Sequence, residues 1–213
     1  GMFSFAIFDK ISNKLFIVRD RMGVKPLHFH FSRNQLFFSS EIKFIKKFTD
    51  NELNINSLNS FLQLGYTPRN QSIYQKINKV SPGSYIEYDL ITNKFKSVKY
   101  WSPINSEFKY GEMSYPEYRK NIKELLYKSV EYRLISDVPV GVFLSGGVDS
   151  SLVTAMAKKI IPGDLKTFTI GFEDSKFNEA TYAKEIANYI GTNHYEKILS
   201  RNDIISVIDK LPR

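Results

Sequence analysis

The sequence has no cysteine, a single tryptophan and three histidines in 213 residues. Without cysteine it has no disulfide framework, no Cys-based zinc site and no cysteine nucleophile within these residues. That absence suits a reducing compartment. The histidines lack ligand spacing. His28 and His30 share one face of a strand but have no third ligand, and His194 stands alone, so all three read as surface or packing residues. No apolar run approaches the ~20 residues of a membrane-spanning helix, and no signal-peptide pattern opens the chain. The expectation is a soluble cytoplasmic protein without a membrane partner. Charge of one sign is never concentrated. Thirty Lys and Arg against twenty-two Asp and Glu leave +8, but the lysines are scattered and none forms a basic arm. No nucleic-acid partner is expected, and there is no repeat and no low-complexity tract.

What is present is an ordinary globular composition, 42% apolar, enough for one large domain or two small ones. Both ends are abrupt: the chain opens directly on a strand pattern and closes after an apparent helix, as a piece of a longer protein would. Residues 3–40 read as a β-meander with strands at Phe3–Phe8, Leu15–Val18, His28–Phe31 and Gln35–Ser39, the aromatic and β-branched composition of strands. Such hairpins need a covering sheet or helix layer. A short helix is expected over 41–47. A second, at 54–64, carries Ile55, Leu58, Phe61 and Leu62 at helical spacing and is ended by Gly65. Tyr85–Tyr88 and Phe95–Tyr100 flank a hairpin turn. The stretch 101–111 is aperiodic and reads as a linker, giving domains over 1–105 and 112–213.

In the second domain, Ser114 and Glu117 form a capping box. The helix behind them carries Tyr118, Ile122, Leu125, Leu126, Val130 and Leu134 on one face. Then come a strand over 138–144, a helix over 150–161 with Leu152, Val153, Met156 and Ile160, and a second buried strand over 166–172. A helix over 179–190 with Ala180, Ala183, Ile186, Ala187 and Ile190 inward, a third strand over 194–198, and a helix start at 200–203 complete the order. The last helix places Ile204, Ile205, Ile208 and Leu211 on one face. Strands alternating with helices imply a parallel sheet.

The chemistry concentrates in VPVGVFLSGGVDSS, residues 138–151. Gly146 and Gly147 remove two Cβ atoms where a backbone must bend and an anion approach. The helix expected to start near Ser150 points free N–H groups and about half a positive charge at the loop. Ser145, Ser150 and Ser151 add hydroxyls. Together they read as a phosphate cradle at the carboxyl end of a parallel strand. It is neither G-x-x-x-x-G-K-[ST] nor G-x-G-x-x-G. A bare Asp149 carboxylate would repel phosphates, so it is expected to hold Mg²⁺, which bridges them. The plain alternative is a glycine-rich turn with Asp149 as a helix cap. Elsewhere, Arg19-Asp20-Arg21 reads as an interface cluster or a solvated ion pair. Glu41 and Lys43 carry no derivable chemistry. Glu173, Asp174 and Glu179 read as near the nucleotide or as a solvated loop and helix start.

SGGVDS resembles the pyrophosphate loop of the N-type ATP pyrophosphatases. SDVPVGVFLSGGVDSSLV and KTFTIGFEDSKFNEATYAKEIANYIGTNHYE resemble the glutamine-hydrolysing asparagine synthetases. GMFSFAIFD, RDRMGVKPLHF and SSEIKFI resemble the second half of that family's class II glutaminase domain. The resemblance covers nearly the whole chain in the family's motif order. It implies an α+β, partial Ntn-type glutaminase sheet followed by an α/β, partial parallel-sheet ATP pyrophosphatase domain. It implies an ATP-dependent carbon–nitrogen ligase with glutamine as amido donor. Aspartate is activated as β-aspartyl-AMP and amidated by glutamine-derived ammonia, so aspartate, glutamine and ATP are the expected substrates, and a homodimer is compatible. Carried over by residue, Leu144, Ser145, Gly146, Gly147, Val148, Asp149, Ser150 and Ile170 would bind ATP, with Asp149 sharing Mg²⁺. The family's nucleophilic cysteine has no counterpart in these residues, so the chain alone is expected to hydrolyse no glutamine. The resemblance leaves open a relative that amidates another carboxylate, such as a sugar acid or antibiotic precursor, and a non-catalytic nucleotide-binding remnant.

Overall fold

The structure is a computed structural model, and it describes residues 1–50, 52–68, 70–104, 113–174 and 178–208. The chain divides into two compact units, Gly1–Phe108 and Lys109–Arg213. The linker expected over 101–111 lies largely outside the described residues, as does Leu211.

In the first unit the strands are β1 (Ser4–Asp9), β2 (Lys14–Arg19), β3 (His28–Ser32), β4 (Gln35–Ser39), β5 (Asn78–Lys79), β6 (Ser84–Asp89) and β7 (Lys94–Lys99). Two helices, α1 (Ile42–Ile45) and α2 (Ile55–Leu64), lie between β4 and β5, with a 3-10 turn at Lys46–Phe48 after α1. One antiparallel sheet runs β1-β2-β6-β7 and another β4-β3-β5. The expected meander is therefore broken after β2. The free edge of β2 is taken by β6, with Ile17 opposite Ile86, and residues 20–27 carry the chain into the second sheet. The layer needed to cover the hairpins is that second sheet. Ile17, Leu27, Val80 and Ile86 form the core, with Leu15, Phe29 and Leu36 packed on it. Phe31 meets Phe95 at 5.0 Å and Tyr88 at 5.8 Å, centroid to centroid.

Asn54 caps α2, its side chain accepting the Ser57 amide at 3.1 Å. The apolar face expected of this helix is not buried. Ile55, Phe61 and Leu62 are exposed, and Ser57 alone is fully covered. Periodicity marked the face, but of its four apolar residues only Leu58 is partly covered.

The second unit contains α3 (Tyr115–Arg133), β8 (Gly141–Phe143), α4 (Val148–Ile160), β9 (Lys166–Phe172), α5 (Ala180–Ile190), β10 (Asn193–Leu199) and α6 (Arg201–Ile208). The three strands form a parallel sheet in the order β10-β9-β8. The Glu117 carboxylate reaches back to the Ser114 N–H at 2.7 Å. At α6, Asp203 accepts the Ser200 N–H at 2.9 Å while its own N–H donates to the Ser200 hydroxyl at 3.2 Å, a closed capping box.

Five expectations need correction here. The strand expected over 138–144 is only Gly141–Phe143, because Pro139 has no N–H for the ladder and Val138 stays exposed. The helix expected from Ser150 starts at Val148, with Gly147 at its N-cap. On α3 only Val130 is buried, joined by Tyr127 and Leu134 in a cluster with Met156, Ala157 and Leu165. Ile122, Leu125 and Leu126 lie exposed. On α4, Thr154, Met156 and Ala157 are buried while Leu152 and Val153 are not. Strand β9 is buried on one face only. Thr167, Thr169 and Gly171 face inward, and Phe168, Ile170 and Phe172 face out. The sequence KTFTIGF is expected as a buried strand, but the layer that would cover its outer face is missing among the described residues.

Candidate functional site

Leu144 leads into the loop and is 1% exposed, packed on Ala183, Ala187 and Ile186 of α5. Its N–H donates to the Phe168 carbonyl at 2.9 Å, and its own carbonyl accepts the Thr169 hydroxyl. The carboxyl end of β8 is thereby fixed to β9 before the chain turns.

The turn itself is held by hydroxyls. The Ser150 Oγ donates to the Gly147 carbonyl at 3.1 Å and lies 3.0 Å from the Ser145 Oγ. It also accepts the Ser145 amide at 3.3 Å, and the Gly147 amide donates to the Ser145 Oγ at 3.4 Å. Ser151 adds a bond to the Gly147 carbonyl at 2.7 Å. The three serine hydroxyls are thus engaged within the loop. Main-chain amides are the donors left to meet an anion. The first α4 bond is Ser151 N–H to the Gly147 carbonyl at 3.0 Å, so the amides of Val148, Asp149 and Ser150 belong to the set that a helix leaves without internal partners.

Gly146 has φ +83, and a Cβ built on it would lie 2.8 Å from the Tyr182 Cβ and 3.0 Å from the Ala183 amide nitrogen. The loop therefore rests on the first turn of α5, a contact that only glycine permits. Val148 projects outward, 84% exposed. Asp149 lies in the first turn of α4, exposed, with no ion-pair partner among the described residues. Ile170 sits on the outer face of β9, two residues beyond the last ladder pair, Phe143 with Phe168. The arrangement offers an anion a glycine-lined turn and the positive end of a helix.

A cavity of about 650 Å³ opens beyond the carboxyl ends of β9 and β10, lined by Phe172, Glu173, Asp174, Leu199, Arg201 and Ile204. Glu173 and Asp174 were visible in the sequence as neighbours of the strand. Leu199, Arg201 and Ile204 were not, since only the adjacent ends of parallel strands bring them there.

Arg19 and Asp20 do not form a solvated ion pair. Asp20 is 1% exposed and accepts the amides of Lys25 at 2.9 Å, Val24 at 3.0 Å, Met22 at 3.2 Å and Phe3 at 3.4 Å. Burial alone would raise its pKa, and these four amides pull it below the usual carboxylate value. The Arg19 guanidinium donates instead to the carbonyls of Val80, Gly23 and Lys25 at 2.7, 2.8 and 2.9 Å. Among the described residues no cluster of three or more His, Asp or Glu could hold a metal. His28 Nδ1 lies 3.2 Å from the Ser40 carbonyl and His30 Nδ1 2.8 Å from that of Lys76.

The family model described as asparagine synthase matches residues 121–213, and that of the glutamine amidotransferase domain matches residues 1–101. A Methanocaldococcus jannaschii protein provisionally named a glutamine-hydrolysing asparagine synthetase is 36% identical across 99% of the chain. Across nearly its whole length the chain is similar to glutamine-hydrolysing asparagine synthetases. Asparagine synthetase 1 of Bacillus subtilis is 32% identical over 99% of the chain, and asparagine synthetase 2 of the same organism 37% identical over 89%. The chain spans 41%, 33% and 26% of these three family members. An NH3-dependent NAD synthetase structure from Campylobacter jejuni is 19% identical over 43% of the chain and 40% of its own, with a TM-score of 0.35, too slight a likeness to carry an argument. Within these matches, Gly146, Asp149 and their neighbours occupy the asparagine synthase segment, and Arg19 and Asp20 the amidotransferase segment. No described helix is long and apolar enough to cross a membrane.

Proposed function

We propose that the loop 144–150 binds the pyrophosphate part of ATP, and that the protein to which it belongs is a glutamine-hydrolysing asparagine synthetase acting in the cytoplasm. Residues 1–105 would then be part of its Ntn-type glutaminase domain and 112–213 part of its ATP pyrophosphatase domain. The observation that carries the reading is Gly146. Its left-handed backbone, wedged against α5, turns the chain from β8 into the N-terminus of α4, where the free first-turn amides would meet an anion.

In that role Gly146 and Gly147 let the phosphates approach the backbone. The amides of Val148, Asp149 and Ser150 hold them, and the serine hydroxyls keep the loop in shape before ligand arrives. Leu144 and the backbone of Ile170 would flank the nucleoside. Asp149 is an exposed carboxylate beside these donors, and it fits Mg²⁺, which takes one or two carboxylates and fills its remaining positions with phosphate oxygens and water. Bound there, the ion would neutralise phosphate charge. The aspartate side-chain carboxylate attacks the α-phosphorus of ATP, and pyrophosphate departs into the loop. Glutamine-derived ammonia then attacks the acyl-adenylate, giving asparagine and AMP. Aspartate, glutamine and ATP are the proposed substrates and a homodimer the proposed assembly, which sedimentation equilibrium checks.

Calorimetric titration of Mg·ATP into the purified chain tests the site. Asp149→Asn should weaken Mg·ATP binding by about tenfold, the loss of one charge-assisted contact, while binding of ATP without Mg²⁺ should hold or improve. Unchanged Mg·ATP affinity would remove Asp149 from the site. ATP binding without pyrophosphate release in the full-length protein would instead favour a nucleotide-binding role.

A further inference from the structure

We propose that Thr169 is a positioning residue that keeps the β8-facing edge of β9 open for the nucleoside. The proposal rests on the nucleotide reading of the loop and goes beyond it, because Thr169 itself is buried and faces away from the outer surface.

In a parallel pair, the N–H and C=O of one residue address the same neighbouring strand, and successive residues address opposite neighbours. The Phe168 carbonyl accepts the Leu144 amide, so Phe168 and Ile170 both address β8. An uninterrupted ladder would next join the Ile170 N–H to the Leu144 carbonyl. Among the described residues that bond is absent, and the ladder stops at Phe143 with Phe168. The Leu144 carbonyl is occupied instead by the Thr169 hydroxyl. A buried carbonyl requires a partner, and the hydroxyl supplies it from within β9. The Ile170 main chain is then left unpaired toward β8, beside the phosphate loop, where an adenosine could meet it.

Valine has the shape of threonine without the hydroxyl. In Thr169→Val the Leu144 carbonyl must find another donor, and the nearest in register is the Ile170 amide. Closing that bond would withdraw Ile170 from the nucleoside and leave the glycine turn and the α4 N-terminus intact.

Titration of the purified 213-residue chain with Mg·ATP, AMP and pyrophosphate separates these effects. Thr169→Val should weaken AMP and ATP about tenfold, the value of one hydrogen bond of roughly 1.4 kcal/mol, and leave pyrophosphate within twofold of wild type. Thr169→Ser, which keeps the hydroxyl, should restore nucleotide binding. Amide hydrogen exchange should show Ile170 unprotected in the unliganded wild type and protected in Thr169→Val, a readout that needs no ligand. An equal loss of pyrophosphate and nucleotide, unchanged AMP binding, or no rescue by serine would overturn the proposal while the loop reading stands. Wild-type chain that binds none of the three would overturn the loop reading and this proposal together.

Discussion

Two adjacent glycines in the loop carry different constraints. Gly146 has φ +83 and no room for a Cβ, whereas Gly147 has φ −72 and only the Ser145 Oγ at 3.5 Å. Gly146→Ala should cost about 1–3 kcal/mol for the left-handed backbone alone and lower Mg·ATP affinity more than tenfold. Gly147→Ala should fold with stability within about 0.5 kcal/mol of wild type. Urea melts of the two variants check the contrast, and equal losses would refute it. The SGG pattern was legible in the sequence, but the difference between its glycines was not, because the wall against Gly146 comes from α5 later in the chain. Asp20 teaches the same lesson. Between two arginines it reads as an ion pair, yet its partners are four backbone amides. Asp20→Asn places an amide group against those donors and should destabilise the first unit by about 2–3 kcal/mol at neutral pH. The lowered pKa means that the wild-type contribution is complete above about pH 4, the unfolded value, and is lost as pH falls through the folded one. The asparagine variant should lack that part of the acid slope in denaturant midpoints measured from pH 5 to 2.

At the level of elements, order and type were readable because helix and strand periods differ, while burial was not. Each strand and helix of the second unit lies close to where periodicity puts it. Which side of β9 or α3 meets a neighbour depends on layers that a one-dimensional pattern cannot count. Strand β10 supplies a case with a measurable consequence. His194 Nδ1 sits 3.0 Å from the Thr167 hydroxyl, and its Nε2 is buried without a partner among the described residues. Burial lowers its pKa, against a smaller opposing effect of Glu196. The unfolded chain takes up a proton near pH 6.5 that the folded one resists. The stability gained from neutral His194 is therefore complete above that value and lost as pH falls toward the lower folded pKa. His28 in the first unit is shifted the same way by burial, so the test is a difference. The drop in urea midpoint between pH 7.5 and 5.5, followed by a probe in the second unit, should shrink in His194→Phe. An unchanged drop would remove His194 as its source.

At the scale of the whole molecule, apolar surface and net charge act against each other. The outer face of the β8-β9-β10 sheet presents Phe143, Phe168 and Tyr195 as a row, with ring centroids 6.5 and 5.4 Å apart. Phe143 is 78% exposed, and α2 adds Ile55, Phe61 and Leu62 in the first unit. Contiguous patches of this kind mark association surfaces. The chain also carries +8, which keeps copies apart at low ionic strength. Salt shortens the reach of that repulsion, from about 30 Å at 0.01 M to about 10 Å at 0.1 M, and leaves apolar contact unaffected or strengthened. Self-association of the 213-residue chain should therefore rise with sodium chloride, the reverse of an assembly held by ion pairs. Light scattering at fixed protein concentration should give a higher mean mass at 0.3 M than at 0.01 M salt. Phe143→Lys with Tyr195→Lys should suppress the rise without altering the Gly146 loop, whose contacts lie with α5 on the helix-covered side. A mean mass that falls with salt, or one that the two lysines leave unchanged, would show that this sheet face is not the surface through which the chain associates.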